Sequence, residues 1–287
     1  MKALKNFWGI ICYPLLYISV QLVVSFVYLV VFDVMYILKL TFENMMENGF
    51  SADTANAITE EDILEIMSNM NYMIPIIISS LVTALIIFLI LIKQWKAEKT
   101  WSFKKVKPPV ALLSVALGAA ANILTICIIS IIPAAQQPSP LDDIFGNNFI
   151  LDLLVAGIFA AALEEIIFRG IVLKRLNEII KRRHIAVFLQ ALMFGVIHFS
   201  LVQGIYAFFL GIFIGYIYLW FDSIWYAIII HFAYNATNVL LPYIFGDTEV
   251  NLYYFLISSA LVFIVSMATL VALAEKKEKE DLTRIEK

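Results

Sequence analysis

Six side chains in the second half of this 287-residue chain are of types that do chemistry together: Glu164, Glu165, Arg169, His198, His231 and Asn235. On a helix, Glu165 and Arg169 stand at i and i+4, so they can form a salt bridge that partly offsets the cost of desolvating each. Glu164 is turned by about 100° from Glu165 and cannot share that partner equally well. It sits beside Ala160, Ala161 and Ala162 and is left facing something else. His231 and Asn235 are again i and i+4, so both point to one side of their helix. A carboxylate can take a proton from water, and an imidazole can share that proton or orient the water. A second imidazole and a carboxamide can donate hydrogen bonds to the oxyanion formed when water attacks a peptide carbonyl. Glu164, His198 and His231 also match the two-His, one-Glu ligand set of a catalytic zinc. Both chemistries stay open at this point.

These residues need a scaffold, and the composition says which kind. Hydrophobic residues make up 62% of the chain and charged ones 15%, against about 45–50% and about 25% in a soluble domain. A soluble globule is excluded. Lys2 and Lys5 precede an apolar run, 6–32, that is uncharged for 27 residues, too long for a signal-peptide core. Further uncharged runs cover 66–92, 108–141, 184–221, 223–246 and 250–274, and an apolar stretch whose one charge is Asp152 runs from 149 into the Glu164 region. The 184–221 run has a polar break at 200–204 and reads as two short helices. The expectation is an all-α polytopic membrane protein of eight transmembrane helices. It forms a single membrane domain over 1–287, with its core motif region at 149–242. No room is left for a separate soluble catalytic domain.

Segments rich in Lys and Arg stay cytoplasmic. Eight spans put 1–6, 93–107, 169–183 and 275–287 on one side, with 2, 6, 6 and 5 basic residues, which is 19 of the 20 in the chain. Lys39 follows the first span in a helical extension. The opposite side receives 41–72, 133–148 and 242–251, which hold no Lys or Arg but do hold Glu60, Glu61, Asp62, Asp142 and Asp143. Both termini are therefore expected in the cytoplasm. Within the extracytoplasmic segment 41–72, Thr59 and Asp62 resemble a capping box before the apolar stripe Ile63, Leu64, Ile66, Met67 and Met70, so a surface-lying helix is expected there. The charged cytoplasmic tail 275–287 alternates in sign and reads as a solvated helix end. Gly204, Gly211 and Gly215 are spaced for close helix packing. Cys12 and Cys127 lie in apolar stretches and read as two buried thiols.

An ionisable side chain at the centre of a span costs about 2.5–3.5 kcal/mol, so each needs a reason to be there. His184, inside Lys181-Arg182-Arg183-His184, is interfacial and is set aside. The other two of the three His lie deep in apolar runs, which points to a site. At a 1.5 Å rise per residue, Glu164 lies about 22 Å in from Phe149, His231 about 13 Å past Asp222, Asn235 about 20 Å past it, and His198 about 21 Å past His184. These depths permit a meeting point in the middle to cytoplasmic half of the bilayer. The net charge of −3 gives no global attraction to nucleic acid.

The motifs resemble those of a known family. Glu164-Glu165-Ile166-Ile167-Phe168-Arg169-Gly170 is similar to the EExxxR motif of the CAAX protease and bacteriocin-processing (CPBP, Abi) intramembrane proteases. Phe194-Gly195-Val196-Ile197-His198 is similar to its FxxxH motif, and His231-Phe232-Ala233-Tyr234-Asn235 to its HxxxN motif. The resemblance implies that Glu164 activates water with His198 as its partner, that His231 and Asn235 bind the oxyanion, and that Glu165 and Arg169 brace the site. Members are described both as metalloproteases and as metal-independent glutamate proteases, so zinc held by Glu164, His198 and His231 stays open. The implied partners are the lipid bilayer and a membrane-associated peptide or lipidated protein substrate, and the implied location is the cell membrane, as a multi-pass protein. The alternative is a non-catalytic membrane scaffold or bacteriocin-immunity protein, roles that the resemblance also implies. A proton-coupled transporter would also use intramembrane Glu and His, but the chain shows no inverted pair of broken helices.

Overall fold

The computed structural model describes residues 2–48, 73–95, 102–133, 148–246, 248 and 250–285. The surface helix expected around Thr59 to Met70 and the acidic Asp142 and Asp143 lie outside them. Among the described residues the chain is all-helical, and its only strand-like contact is an isolated antiparallel bridge between Phe103 and Ser223. The rods are α1 (Lys2–Asn48), α2 (Met73–Trp95), α3 (Pro108–Ile131), α4 (149–180), α5 (Arg183–Val196), α6 (Leu201–Phe221), α7 (Ile224–Phe245) and α8 (Leu252–Ile285).

Among the described residues, five stretches are long and apolar enough to cross a bilayer: Trp8–Glu43, Pro108–Ile131, Leu201–Phe221, Ile224–Phe245 and Leu252–Arg284. Ile74–Leu89 and Arg183–Val196 are apolar but shorter. The α4 run is interrupted by wider turns and carries seven charged residues, among them Asp152, Glu164, Glu165 and Arg169. Many large apolar side chains point away from the protein, among them Leu22, Phe26 and Met35 on α1 and Tyr253, Ile257 and Leu261 on α8. So large an apolar surface is not stable against water. It makes this a membrane protein.

The helical extension expected at Lys39 is present and goes further, with α1 running on to Asn48, into the segment expected outside the membrane. No Gly or Pro interrupts it after Pro14, so nothing in 33–48 stops the helix. The break in the long 184–221 run falls at 197–200. There Phe199 takes a left-handed φ of 52° and the Ser200 side chain accepts a hydrogen bond from the Gln203 backbone N–H. Cys127 is buried, whereas Cys12 is only half-buried, and both are free thiols.

Two apolar cores share α6 and α7. One gathers Ile10, Tyr13, Tyr17, Ile87, Leu163, Ile167 and Phe194 from α1, α2, α4 and α5. The other gathers Leu117, Ile214, Ile230, Tyr234 and Leu270 from α3, α6, α7 and α8. Small residues let the helices approach. A methyl group on Gly211 or Gly215 would meet Ala191 or Val187 of α5 at 3.2 or 3.1 Å. One on Gly118 of α3 would fall on the Ile230 carbonyl oxygen and 2.9 Å from Ala233 Cβ, on either side of His231. Gly118→Ala is therefore expected to cost about 1–3 kcal/mol of stability. An unchanged thermal midpoint would contradict this packing.

Outside the apolar layer, residues 102–107 clasp the turn between α6 and α7. Ile224 N–H donates to Ser102 O at 3.0 Å, Ser223 Oγ to Lys104 O at 2.8 Å, and Lys107 N–H to Tyr226 Oη at 2.7 Å. Lys104 also pairs with Asp222 at 2.5 Å. The start of α7 is thereby fixed in height.

Helix α4 is the most irregular rod. It runs as α (Phe149–Asp152), π (Leu153–Ala160), α (Ala161–Glu165), π (Ile166–Leu173) and α (Lys174–Ile180). Each π segment contains a glycine on which α7 presses, Gly157 against the Phe232 ring and Gly170 against Ile224, both with room for nothing larger before 3.2 Å. The single α turn between them carries Glu164 and Glu165. π turns of this kind recur at functional sites because they redirect side chains and carbonyls within a helix.

Candidate active site

The site is built around Glu165, which is 0% exposed. Its Oε1 accepts hydrogen bonds from Arg169 Nη1 at 2.8 Å and from His231 Nδ1 at 2.7 Å. Arg169, also fully buried, donates from Nη2 to the Gly211 carbonyl oxygen at 3.3 Å and lies over the Phe194 ring at 4.6 Å from its centroid. The i, i+4 pair on α4 is thus present, tied to α5, α6 and α7. Because the carboxylate accepts, Nδ1 of His231 carries a proton, and in the neutral imidazole its Nε2 presents a lone pair. That lone pair faces Glu164 Oε2 at 3.9 Å. The distance is too long for a direct hydrogen bond, and it suits one water bonded to both atoms.

Glu164 points, as expected, to a different partner from that of Glu165. Its Oε1 accepts from Tyr17 Oη of α1 at 3.1 Å. Asn235 lies on the same face of α7 as His231, and its Nδ2 donates to the Ala156 carbonyl oxygen in the first π segment of α4 at 2.8 Å. One N–H of that amide is spent on the backbone and a second remains.

His198 is where expectation and structure part. It does not lie within a helix. Helix α5 ends at Val196, and His198 sits in the turn after it, half-buried. Its Nδ1 donates to the Phe194 carbonyl oxygen at 2.7 Å, so in the neutral imidazole its Nε2 is the lone-pair nitrogen. Neither Glu164 nor Glu165 is among its ion-pair partners. Its link to the site runs through the Phe194 ring, edge-on to both His198 and His231 at 5.0 and 5.8 Å.

Two residues of this constellation escaped the sequence reading. Phe194 was visible only as a motif letter, yet its ring touches Arg169, His198 and His231. Tyr17 gave no local signal at all, standing 147 positions before its partner.

The residues do not fit a three-ligand zinc as they stand. Among the described residues no three His, Cys, Asp or Glu side chains gather closely enough to hold a metal ion. Glu164 and His231 approach each other, but His198 does not join them, and no chemical step is routed here through a metal.

Comparison with known families places the motif region. Residues 146–237 match the family model described as Rce1-like, a Type II CAAX prenyl endopeptidase. The match spans about a third of the chain and includes every motif residue named above, though not Tyr17. No curated protein and no solved structure matches the chain. The family is one of proteases, which supports a hydrolase role. By this match the motif-bearing region of the chain is similar to the CAAX protease family.

Proposed function

We propose that this protein is an intramembrane endopeptidase that hydrolyses a peptide bond in a lipidated or hydrophobic peptide, using a water held between Glu164 and His231. One observation carries the reading: Glu164 Oε2 and His231 Nε2 face each other at 3.9 Å while the other polar atom of each side chain is already engaged. In the proposed reaction, water donates one hydrogen bond to each of these atoms. Its oxygen attacks the peptide carbonyl carbon as its proton passes to the Glu164 carboxylate. The C–N bond then breaks as Glu164 returns that proton to the departing amine.

Glu165 orients His231, and Arg169 holds Glu165 in turn, the same division of labour as a buried carboxylate behind a catalytic imidazole. The resemblance assigns His231 to the oxyanion, but a lone pair on Nε2 suits it to hold water. In this reading the second N–H of Asn235 serves the oxyanion, and His198 is kept as a second proton acceptor through its Nε2.

We also infer a single membrane domain of eight spans at the cell membrane, with both termini cytoplasmic. Supporting this, basic segments from distant parts of the chain meet at matching ends of helices. Lys104 pairs with Asp222, Lys277 donates to the Trp220 carbonyl oxygen, and Arg175 donates to the Gly9 carbonyl oxygen.

The test is hydrolysis in lipid vesicles of a farnesylated peptide ending in a CAAX sequence, with new termini mapped by mass spectrometry for wild type and Glu164→Ala. New termini with wild type only are expected. Cleavage by Glu164→Ala would overturn the mechanism, and no cleavage by either would turn attention to a scaffold or immunity role. A strong chelator is expected to leave the rate unchanged. Loss of activity that zinc restores would overturn the metal-free arrangement.

A further inference from the structure

We propose that Tyr17 of α1 is a positioning residue of this site, its hydroxyl fixing the Glu164 carboxylate so that Oε2 is presented to the attacking water. The proposal rests on the hydrolase reading above and adds to it an element outside the matched region 146–237.

The geometry is specific. A carboxylate accepts and cannot donate when ionised, so the 3.1 Å contact is a phenol O–H donated to Glu164 Oε1. Tyr17 is buried, and Glu164 is only 12% exposed in its side chain. Water therefore has little access with which to replace the bond. A glutamate has three rotatable side-chain bonds and loses appreciable entropy when held in one rotamer. Two bonds hold this site in register from opposite sides. His231 is held by Glu165 through Nδ1, and Glu164 is held by Tyr17 through Oε1. What remains are the two atoms that face each other, Nε2 and Oε2. Without the hydroxyl, no other hydrogen bond among the described residues fixes the plane of the Glu164 carboxylate.

The helix that brings Tyr17 is itself fixed in register. Two turns before it, the Gly9 carbonyl oxygen accepts from Arg175 Nη1 of α4, and a methyl group at Gly9 would lie 2.5 Å from that nitrogen. The Arg175 guanidinium also lies 5.3 Å from the Tyr13 ring centroid. The two contacts, Gly9 with Arg175 and Tyr17 with Glu164, run in opposite directions along the two helices, as an antiparallel pair requires. The Tyr17 ring packs in the same apolar cluster as Leu163 and Ile167, so the ring alone satisfies the packing. The hydroxyl is then an addition whose one catalytic contact is Glu164.

The experiment is Tyr17→Phe, assayed per folded protein with the farnesylated CAAX peptide in vesicles. Loss of a hydrogen bond to a charged group is expected to lower kcat by about 10- to 100-fold, with KM and the thermal midpoint unchanged. A residue that only packs would leave kcat unchanged, because Phe keeps the ring, and that result overturns the proposal. A second measurement uses Glu164→Asp, whose shorter side chain draws the carboxylate away from Tyr17. Adding Tyr17→Phe to it is expected to change kcat by less than about twofold, since the bond is already gone. Full multiplication of the two effects would overturn the proposal even if the single variant is slow. If wild type does not cleave, the hydrolase reading fails, and if Glu164→Ala still cleaves, the water-activating role of Glu164 fails. If Glu164→Ala is inactive and Tyr17→Phe matches wild type, only the role of Tyr17 fails.

Discussion

Glu164→Gln is expected to lower kcat by about 10³- to 10⁴-fold while the protein stays folded, the upper range for loss of a positioned general base. Glutamine keeps the shape of glutamate and retains a carbonyl oxygen able to accept from Tyr17 Oη, so the 3.1 Å contact can persist. It cannot take a proton from water. The loss should therefore appear in kcat with KM little changed, because the substrate still meets the same walls. The measurement is single-turnover cleavage of the farnesylated peptide beside a thermal melt. Cleavage at the wild-type rate would remove Glu164 from the chemistry. A collapsed melting temperature would instead place Glu164 among the residues that hold the bundle together.

Arg169→Met is expected to act in the opposite way, chiefly on stability, by about 3–5 kcal/mol. Arg169 and Glu165 are both 0% exposed, and removing the guanidinium leaves an ionised carboxylate in the interior with only His231 beside it. It also removes the donor to the Gly211 carbonyl oxygen and the cation over Phe194. The double variant Glu165→Gln/Arg169→Met should recover most of this loss, since breaking a buried pair costs more than replacing both members. Thermal midpoints of the two variants check the pair. A single variant as stable as wild type would mean that the buried charge is compensated in some other way.

What could be read from sequence follows from the range of each interaction. The Glu165–Arg169 pair and the shared face of His231 and Asn235 were legible because they are set by helix geometry within four residues. Gly211 and Gly215 were legible for the same reason, and both pack against α5. The helix end before His198 was not legible because the uncharged run gave no sign that α5 stops at Val196. The stop is made by a left-handed Phe199 and the Ser200 cap, which hydropathy does not register. The π segments of α4 were invisible because they accompany close contacts with Phe232 and Ile224 of another helix. Tyr17 was invisible for a further reason. It is one of 13 tyrosines in a chain rich in aromatics, and only the packing of α1 against α4 distinguishes it.

The locality of the Glu165–Arg169 bond also bears on how such a chain is made. Glu165 leaves the ribosome 66 residues ahead of His231, an interval of roughly 3–13 s at ordinary synthesis rates. For that time α4 must enter or approach the bilayer without the imidazole that later completes its network. Because the counter-charge lies one turn away on the same helix, α4 carries its own neutralisation from the moment it coils. The helix that will bear the most costly residues in the protein is thus presented to the lipid with that pair already matched, and α7 arrives later to a carboxylate already oriented to receive it.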